Sequence, residues 1–247
     1  MSRAAQFEKS DTRGVPSLVW RAGQNRRLEM IRRAAGPCLT QSSWVLVDGS
    51  GIGMYIRALR RYSDHVVGLD IEPDRAAQSR LQSPLVNVAN GERLPYPANT
   101  FDLLLSHEVI EHVGDDVRSV ADMVRVLKPG GRTIIFCPNR LYPFETHGHY
   151  WRGHYHFGNT PFINYLPDPL RHQLAPHVRA YTRRSLRKLL DHLPVTVIEH
   201  TQIYHGFDNI VARYPRLGRL LRRITYSLEN GPLRVFGLSH LLVIEKK

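Results

Sequence analysis

Val45-Leu46-Val47-Asp48-Gly49-Ser50-Gly51-Ile52-Gly53 carries an apolar run straight into three glycines at alternate positions. Trp44 to Asp48 reads as a short strand, and Ile52 to Tyr62 reads as a helix. Glycines at such a junction let the backbone turn sharply and approach a ligand without a Cβ in the way. The free N–H groups that open the helix suit a polar or anionic group. Met54 stands where a dinucleotide fingerprint has its third glycine, which argues against a nicotinamide or flavin ligand.

Outward from this loop, strand-like and helix-like stretches alternate. His65 to Asp70 is a second strand, with Pro73 at a helix start, and Pro84 to Ala89 is a third. Phe101 to Ser106 is a fourth, apolar enough to be buried on both faces. Asp115 to Leu127 reads as a helix stopped by Pro129-Gly130-Gly131, followed by a fifth strand from Arg132 to Cys137. A helix capped by Thr182 runs to His192, Val195 to Ile203 is a sixth strand, and His240 to Glu245 is a seventh. The alternation predicts an α/β fold, a Rossmann-like seven-stranded, mostly parallel sheet with helices on both faces.

Two segments break this pattern. Residues 138–178 are rich in Pro, His, Tyr, Phe and Gly without sustained periodicity, and residues 207–236 form a second insertion. Long irregular segments in a compact domain serve as lids or binding regions. The domain is expected over 44–247, with both insertions contacting substrate. An N-terminal extension and helix occupy 1–43, irregular over the first 20 residues and basic-amphipathic over 21–35. In the second insertion Leu217, Leu220, Leu221, Ile224 and Leu228 fall at helical spacing among Arg216, Arg219, Arg222 and Arg223. Two readings stand: a core-packed helix with a solvated face, or a peripheral membrane or anionic contact through 213–228.

The 247 residues carry 34 lysines and arginines against 22 acids, a net charge of +12. Only Lys9, Lys128, Lys188, Lys246 and Lys247 are lysines, a skew that base composition produces as readily as function. The excess suits either a generally basic surface or an anionic partner. Cys38 and Cys137 lack metal-motif spacing and cannot build a disulfide framework, which fits a reducing compartment. Arg3, Glu8, Lys9, Asp11 and Arg13 precede any apolar run, and no apolar stretch is long enough to span a membrane. A cytoplasmic protein is expected.

An acid ending the second strand, Asp70 in Val66-Val67-Gly68-Leu69-Asp70, stands 17 residues after Gly53 and can accept hydrogen bonds from both hydroxyls of a ribose. Beyond it lie Asn90-Gly91-Glu92-Arg93-Leu94-Pro95-Tyr96, Asn99-Thr100-Phe101-Asp102-Leu103-Leu104-Leu105-Ser106 and Val126-Leu127-Lys128-Pro129-Gly130-Gly131. With the glycine loop these segments resemble, in order and spacing, class I S-adenosylmethionine-dependent methyltransferases, in particular the branch of ubiquinone-type O-methyltransferases. The resemblance covers residues 44–137 and continues more loosely to 203.

It implies that Gly49, Gly51 and Gly53 cradle the amino-acid end of S-adenosylmethionine and that Asp70 binds its ribose. Ile71 would pack on the adenine. Asn90, where relatives carry Asp, would hold the adenine amino group, with Gly91 offering its backbone. Ser106 is counted with these residues. The family's acid lies two residues before the first glycine; here that place is Val47, and Asp48 is its displaced counterpart.

Ser106-His107-Glu108-Val109-Ile110-Glu111-His112-Val113 follows the fourth strand, at the strand ends where open α/β sheets bind ligands. Glu108, Glu111 and His112 resemble the Glu-x-x-Glu-His set that binds a divalent metal in ubiquinone O-methyltransferases and small-RNA 2′-O-methyltransferases. His147 and His149 are candidates for a fourth ligand, and His107 and His147 for a general base. A metal would orient and acidify a substrate hydroxyl, whereas in many relatives a similar Glu-His pair fixes the loop without one. The expected acceptor is a small or lipid-linked molecule, anionic in one version, methylated on oxygen. Alternatives are an RNA methyltransferase and an inactive cofactor-binding partner protein. Scattered basic residues without an RNA-binding module argue against nucleic acid.

Overall fold

The computed structural model describes residues 20–247; the irregular stretch expected over the first 20 residues, and the acids and bases noted there, lie outside the described residues up to position 19. Seven strands form the main sheet: β1 (Trp44–Asp48), β2 (His65–Asp70), β3 (Val86–Val88), β4 (Phe101–His107), β5 (Leu127–Pro138), β6 (Val195–Ile203) and β7 (Ser239–Lys246). Their order is β6-β7-β5-β4-β1-β2-β3. β1 to β5 pair in parallel, while β7 runs antiparallel to both β5 and β6. The expected mostly parallel seven-stranded sheet is what the chain forms.

Alternation along the central strands decides the layers. Val45 and Val47 of β1 and Leu103 and Leu105 of β4 join one core with Leu28, Ile31, Ile56, Leu59 and Ala76. Leu46 and Leu104 point the other way, to Val120, Met123, Val124, Leu186 and Leu190. Helices α1 (Ala22–Ala35), α2 (Met54–Leu59) and α3 (Pro73–Ser79) thus cover one face, and α4 (Asp116–Val126) the other. Helix α1, expected as part of an extension, is built into the same core as the sheet.

Boundaries differ from expectation where side chains give no period. Helix α2 is only six residues long and opens at Gly53. Strand β3 shrinks to three residues at the sheet edge. Strand β5 begins at Leu127, carrying Pro129-Gly130-Gly131 as an irregularity in its pairing with β4.

The 138–178 segment is more ordered than its composition indicates. Phe144–Glu145 pairs with Thr160–Pro161, and His149–Trp151 pairs with His154–His156. Helices α5 (Asp168–Leu174) and α6 (Arg183–Lys188) follow, the latter capped by Thr182 as expected but ending short of His192. The 207–236 segment holds α7 (Asp208–Arg213), α8 (Pro215–Leu228) and a 3-10 turn at Pro232–Phe236. Helix α8 does not turn its aliphatic stripe to the core. Gly218 is its buried residue, and a Cβ there would overlap the backbone of Val211. Leu217, Leu220 and Ile224 are about half exposed.

Candidate active site

Strand order reverses between β1 and β4, and a cavity of about 700 Å³ opens at their carboxyl ends. The glycine loop forms one wall. Gly49, Gly51 and Gly53 take φ of 68°, 54° and 86°, left-handed values that a side chain resists. A Cβ on Gly49 would overlap Val109, so this wall is shaped by missing side chains. Gly49 and Gly51 line the cavity; Gly53 lies just behind, as the N-cap of α2.

The acid ending β2 braces this loop. Asp70 Oδ2 accepts from the Gly51 N–H at 2.8 Å, and Oδ1 accepts from the Glu72 N–H at 2.9 Å. Burial raises the Asp70 carboxyl above the usual range, and the two N–H donors pull it partly back. Each oxygen has a second lone pair for a further donor, and Asp70 lines the cavity. Ile71 and Asn90-Gly91 also line the cavity; Asn90 Oδ1 accepts from the Glu92 N–H at 2.9 Å, forming a local turn.

Asp48 lies on the opposite face of β1 from Val47, paired with Ser106 of β4. It is buried, and among the described residues no donor meets hydrogen-bond geometry with either carboxyl oxygen. Burial pushes its pKa up to about 7; the Ser106 hydroxyl offsets this in part, and the nearby Asp70 charge adds to it. A Cβ at position 91 would sit 2.9 Å from Asp48 Oδ1, so glycine there lets the 90–91 turn rest on the acid. Ser106 is wholly buried beneath the cavity, outside its lining.

His107, Glu108 and His112 line the far wall. Arg27 of α1 reaches between the first two. Its Nη1 donates to His107 Nε2 at 2.5 Å and to Glu108 Oε1 at 3.4 Å. His107 also packs on Tyr55 and Phe136, with ring centroids 4.8 and 5.1 Å apart. Burial, and then the Arg27 charge, lower its pKa to about 3. An imidazole already accepting from a fixed guanidinium is a poor proton acceptor, which weighs against the base role expected for it.

The structure also redraws the expected metal set. Ligand atoms of Glu111, His112 and His147 all lie within 4.8 Å of one another, whereas Glu108 is absent from the group. Glu108, with φ of 57°, accepts from Ser239 Oγ at 2.9 Å and faces Arg27 instead. Although burial opposes ionisation, Arg27, His107 and His147 hold its pKa down to about 2. His149 is occupied elsewhere, 3.0 Å from Thr160 Oγ1 and stacked on His156.

His147 is set by a chain of buried partners. Its Nδ1 lies 3.2 Å from Glu145 Oε1, and Glu145 Oε2 accepts from Arg171 Nη2 at 2.8 Å. This leaves His147 Nε2 toward Glu111, 4.0 Å away. Both Glu111 oxygens are buried without a hydrogen-bond partner among the described residues, and burial, followed by the Glu108 charge, raises that carboxyl well above its usual range. His112 Nδ1 meets the His177 carbonyl at 3.3 Å. Arg27, Glu145, Arg171 and His177 were not foreseen. For Arg27 the one sequence clue is its place beside Leu28 on a periodic helix; the others carry none.

Residues 46–135 match the family model for the methyltransferase domain. A probable S-adenosylmethionine-dependent methyltransferase of Mycolicibacterium smegmatis is 32% identical over 132 residues, covering 52% of this chain and 51% of that protein. Demethylmenaquinone methyltransferase of Tropheryma whipplei is 35% identical over 111 residues, 42% of this chain and 46% of that one. The chain spans about half the length of the curated relatives it matches. An S-adenosylmethionine-dependent methyltransferase from Mesorhizobium loti shares the fold, with TM-score 0.62 at 19% identity over 91% of this chain and 98% of that one. Residues 46–135 are therefore similar to a methyltransferase domain, and the chain has the fold of a solved S-adenosylmethionine-dependent methyltransferase.

Proposed function

We propose that this chain transfers a methyl group from S-adenosylmethionine to an oxygen of a small or lipid-linked acceptor. The observation that carries this reading is the loop of three left-handed glycines, locked to Asp70 and open to one cavity. Its volume lies within the roughly 300–1,000 Å³ that holds a small ligand. The residues fit the cofactor: a wall stripped of Cβ atoms, a braced carboxylate for the ribose, and Ile71, Asn90 and Gly91 for the adenine. The bound cofactor would supply an electrophilic methyl group. The chain's part is to align the acceptor with it and keep water out, which accounts for most of such a rate enhancement. His147, oriented by Glu145, is the residue best placed to take the acceptor's proton. Two buried, unpaired cysteines fit a reducing, cytoplasmic setting.

The test is calorimetry with S-adenosylhomocysteine, then methyl-transfer assays across hydroxyl-bearing lipids, quinols and glycans. Absence of cofactor binding overturns the reading. Binding without turnover on any acceptor favours a cofactor-binding partner protein, and methylation with salt-sensitive binding of RNA favours an RNA substrate.

A second reading adds a divalent metal at Glu111, His112 and His147. The partnerless carboxylate of Glu111 and the carboxylate-oriented His147 favour it. A cation there would acidify the acceptor hydroxyl. Adding Mg²⁺, Mn²⁺ or Zn²⁺ to chelated protein tests it; unchanged heat and activity would sink the idea.

A further inference from the structure

We propose that helix α8 docks the protein on an anionic lipid surface and brings the cavity mouth to acceptors held there. The proposal rests on the lipid-linked reading of the acceptor.

Three observations converge on α8. Leu217, Leu220 and Ile224 share one helix face and are 51%, 55% and 48% exposed. The adjoining 3-10 turn packs against the helix and leaves Leu233 and Phe236 exposed as well. Beside the aliphatic stripe stand Arg216, Arg219 and Arg223, all exposed and with no acidic partner among the described residues. Residues 213–228 contain no Asp or Glu at all. Finally, the helix is fastened to the cavity rim: Arg222 donates to the Gly206 carbonyl at 2.7 Å and to Asp208 Oδ1 at 2.9 Å. Gly206 and Asp208 line the cavity.

Aliphatic and cationic groups side by side match the acyl boundary and headgroups of an anionic bilayer. RNA would use the arginines and leave the aliphatic stripe in water. A second copy meeting this face about a two-fold axis would set like charges together. A lipid surface satisfies both features at once. Among the described residues no helix is long and apolar enough to cross a membrane, so the contact is peripheral.

The experiment is co-sedimentation of the full chain with phosphatidylcholine vesicles, with and without phosphatidylglycerol. Binding is expected only with the anionic lipid. The variant Leu217→Ser/Leu220→Ser/Ile224→Ser should weaken it at least about tenfold. Arg216→Gln, Arg219→Gln and Arg223→Gln should each weaken it about fivefold, and added salt should weaken it further. S-adenosylhomocysteine binding, measured in parallel, should be unchanged in every variant. Equal binding to neutral vesicles, no binding to either, or retained binding in the triple Ser variant would each overturn the proposal. So would RNA binding or dimerisation lost in the Arg variants while vesicles go unbound. Absence of vesicle binding by the unaltered chain with intact cofactor binding defeats this inference alone; absent cofactor binding defeats the methyltransferase reading instead.

Discussion

The backbone N–H of Gly51 donates to Oδ2 of Asp70 at 2.8 Å, so the loop after β1 is tied directly to the end of β2. The residue expected to bind ribose is thus also the brace of the loop expected to hold the other end of the same ligand. Replacing it disturbs both contacts together.

Asp70→Ala leaves the Gly51 and Glu72 amides without their acceptor. At about 1–3 kcal/mol for each lost partner, S-adenosylhomocysteine affinity should fall roughly 30-fold or more. Asp70→Asn keeps one acceptor oxygen and should lose less. Calorimetry on both variants distinguishes this from a merely local turn, for which affinity would stay at the wild-type value.

Gly49 and Gly130 both carry left-handed φ, 68° and 77°, but only Gly49 is crowded. Nothing lies within 4 Å of a Cβ built on Gly130, whereas one on Gly49 overlaps Val109. Gly130→Ala should cost about 1–2 kcal/mol of backbone strain and leave cofactor binding intact. Gly49→Ala should cost more and abolish binding. Thermal melts with and without S-adenosylhomocysteine compare them directly.

Burial makes Asp48 hold its proton more tightly in the folded chain, with its pKa pushed up from the ordinary carboxylate range to about 7. Stability is therefore greatest at low pH with respect to this group, falls as pH rises from about 4 to about 7, and levels off above. The span corresponds to about 4 kcal/mol. Glu111, also raised, adds in the same direction. Asp48→Asn should flatten this slope and stabilise the protein by about 2 kcal/mol at about pH 8. Urea unfolding across the window measures it; an unchanged slope would show that the carboxyl finds a partner when ionised.

Arg27→Met removes the guanidinium from His107 Nε2. Burial is the larger cause of the low His107 pKa and remains, so only partial recovery is expected, about one to two units upward. NMR titration of the imidazole reads the shift. If His107 were the catalytic base, Arg27→Met would move the acidic limb of the rate profile with it; if His147 is, that limb should stay in place.

The sheet was readable because its signals are local. Val45 to Val47 and Leu103 to Leu105 are buried on both faces, and continuous apolar runs announce such strands. The glycine positions were readable for the same reason: a left-handed turn excludes other residues wherever the rest of the chain goes. The paired strands at 144–161 were not, since two or three residues hold no period. The aliphatic spacing in α8 announced a stripe but not what it faces; buried Gly218 gave the packed side to α7 and left Leu217, Leu220 and Ile224 outward.

By itself, then, the sequence determined the alternation of strands and helices, the three-glycine turn, and the acid that ends β2. Each depends on steric limits or periodicity within a few residues. Tertiary structure alone decided that Arg27 meets His107 across 80 positions, that Glu108 turns to Ser239, and that His147 stands beside Glu111. Those outcomes rest on which neighbours from distant segments offer a hydrogen-bond partner or exclude water. A carboxylate or an imidazole takes its role from that company, and no local pattern specifies it.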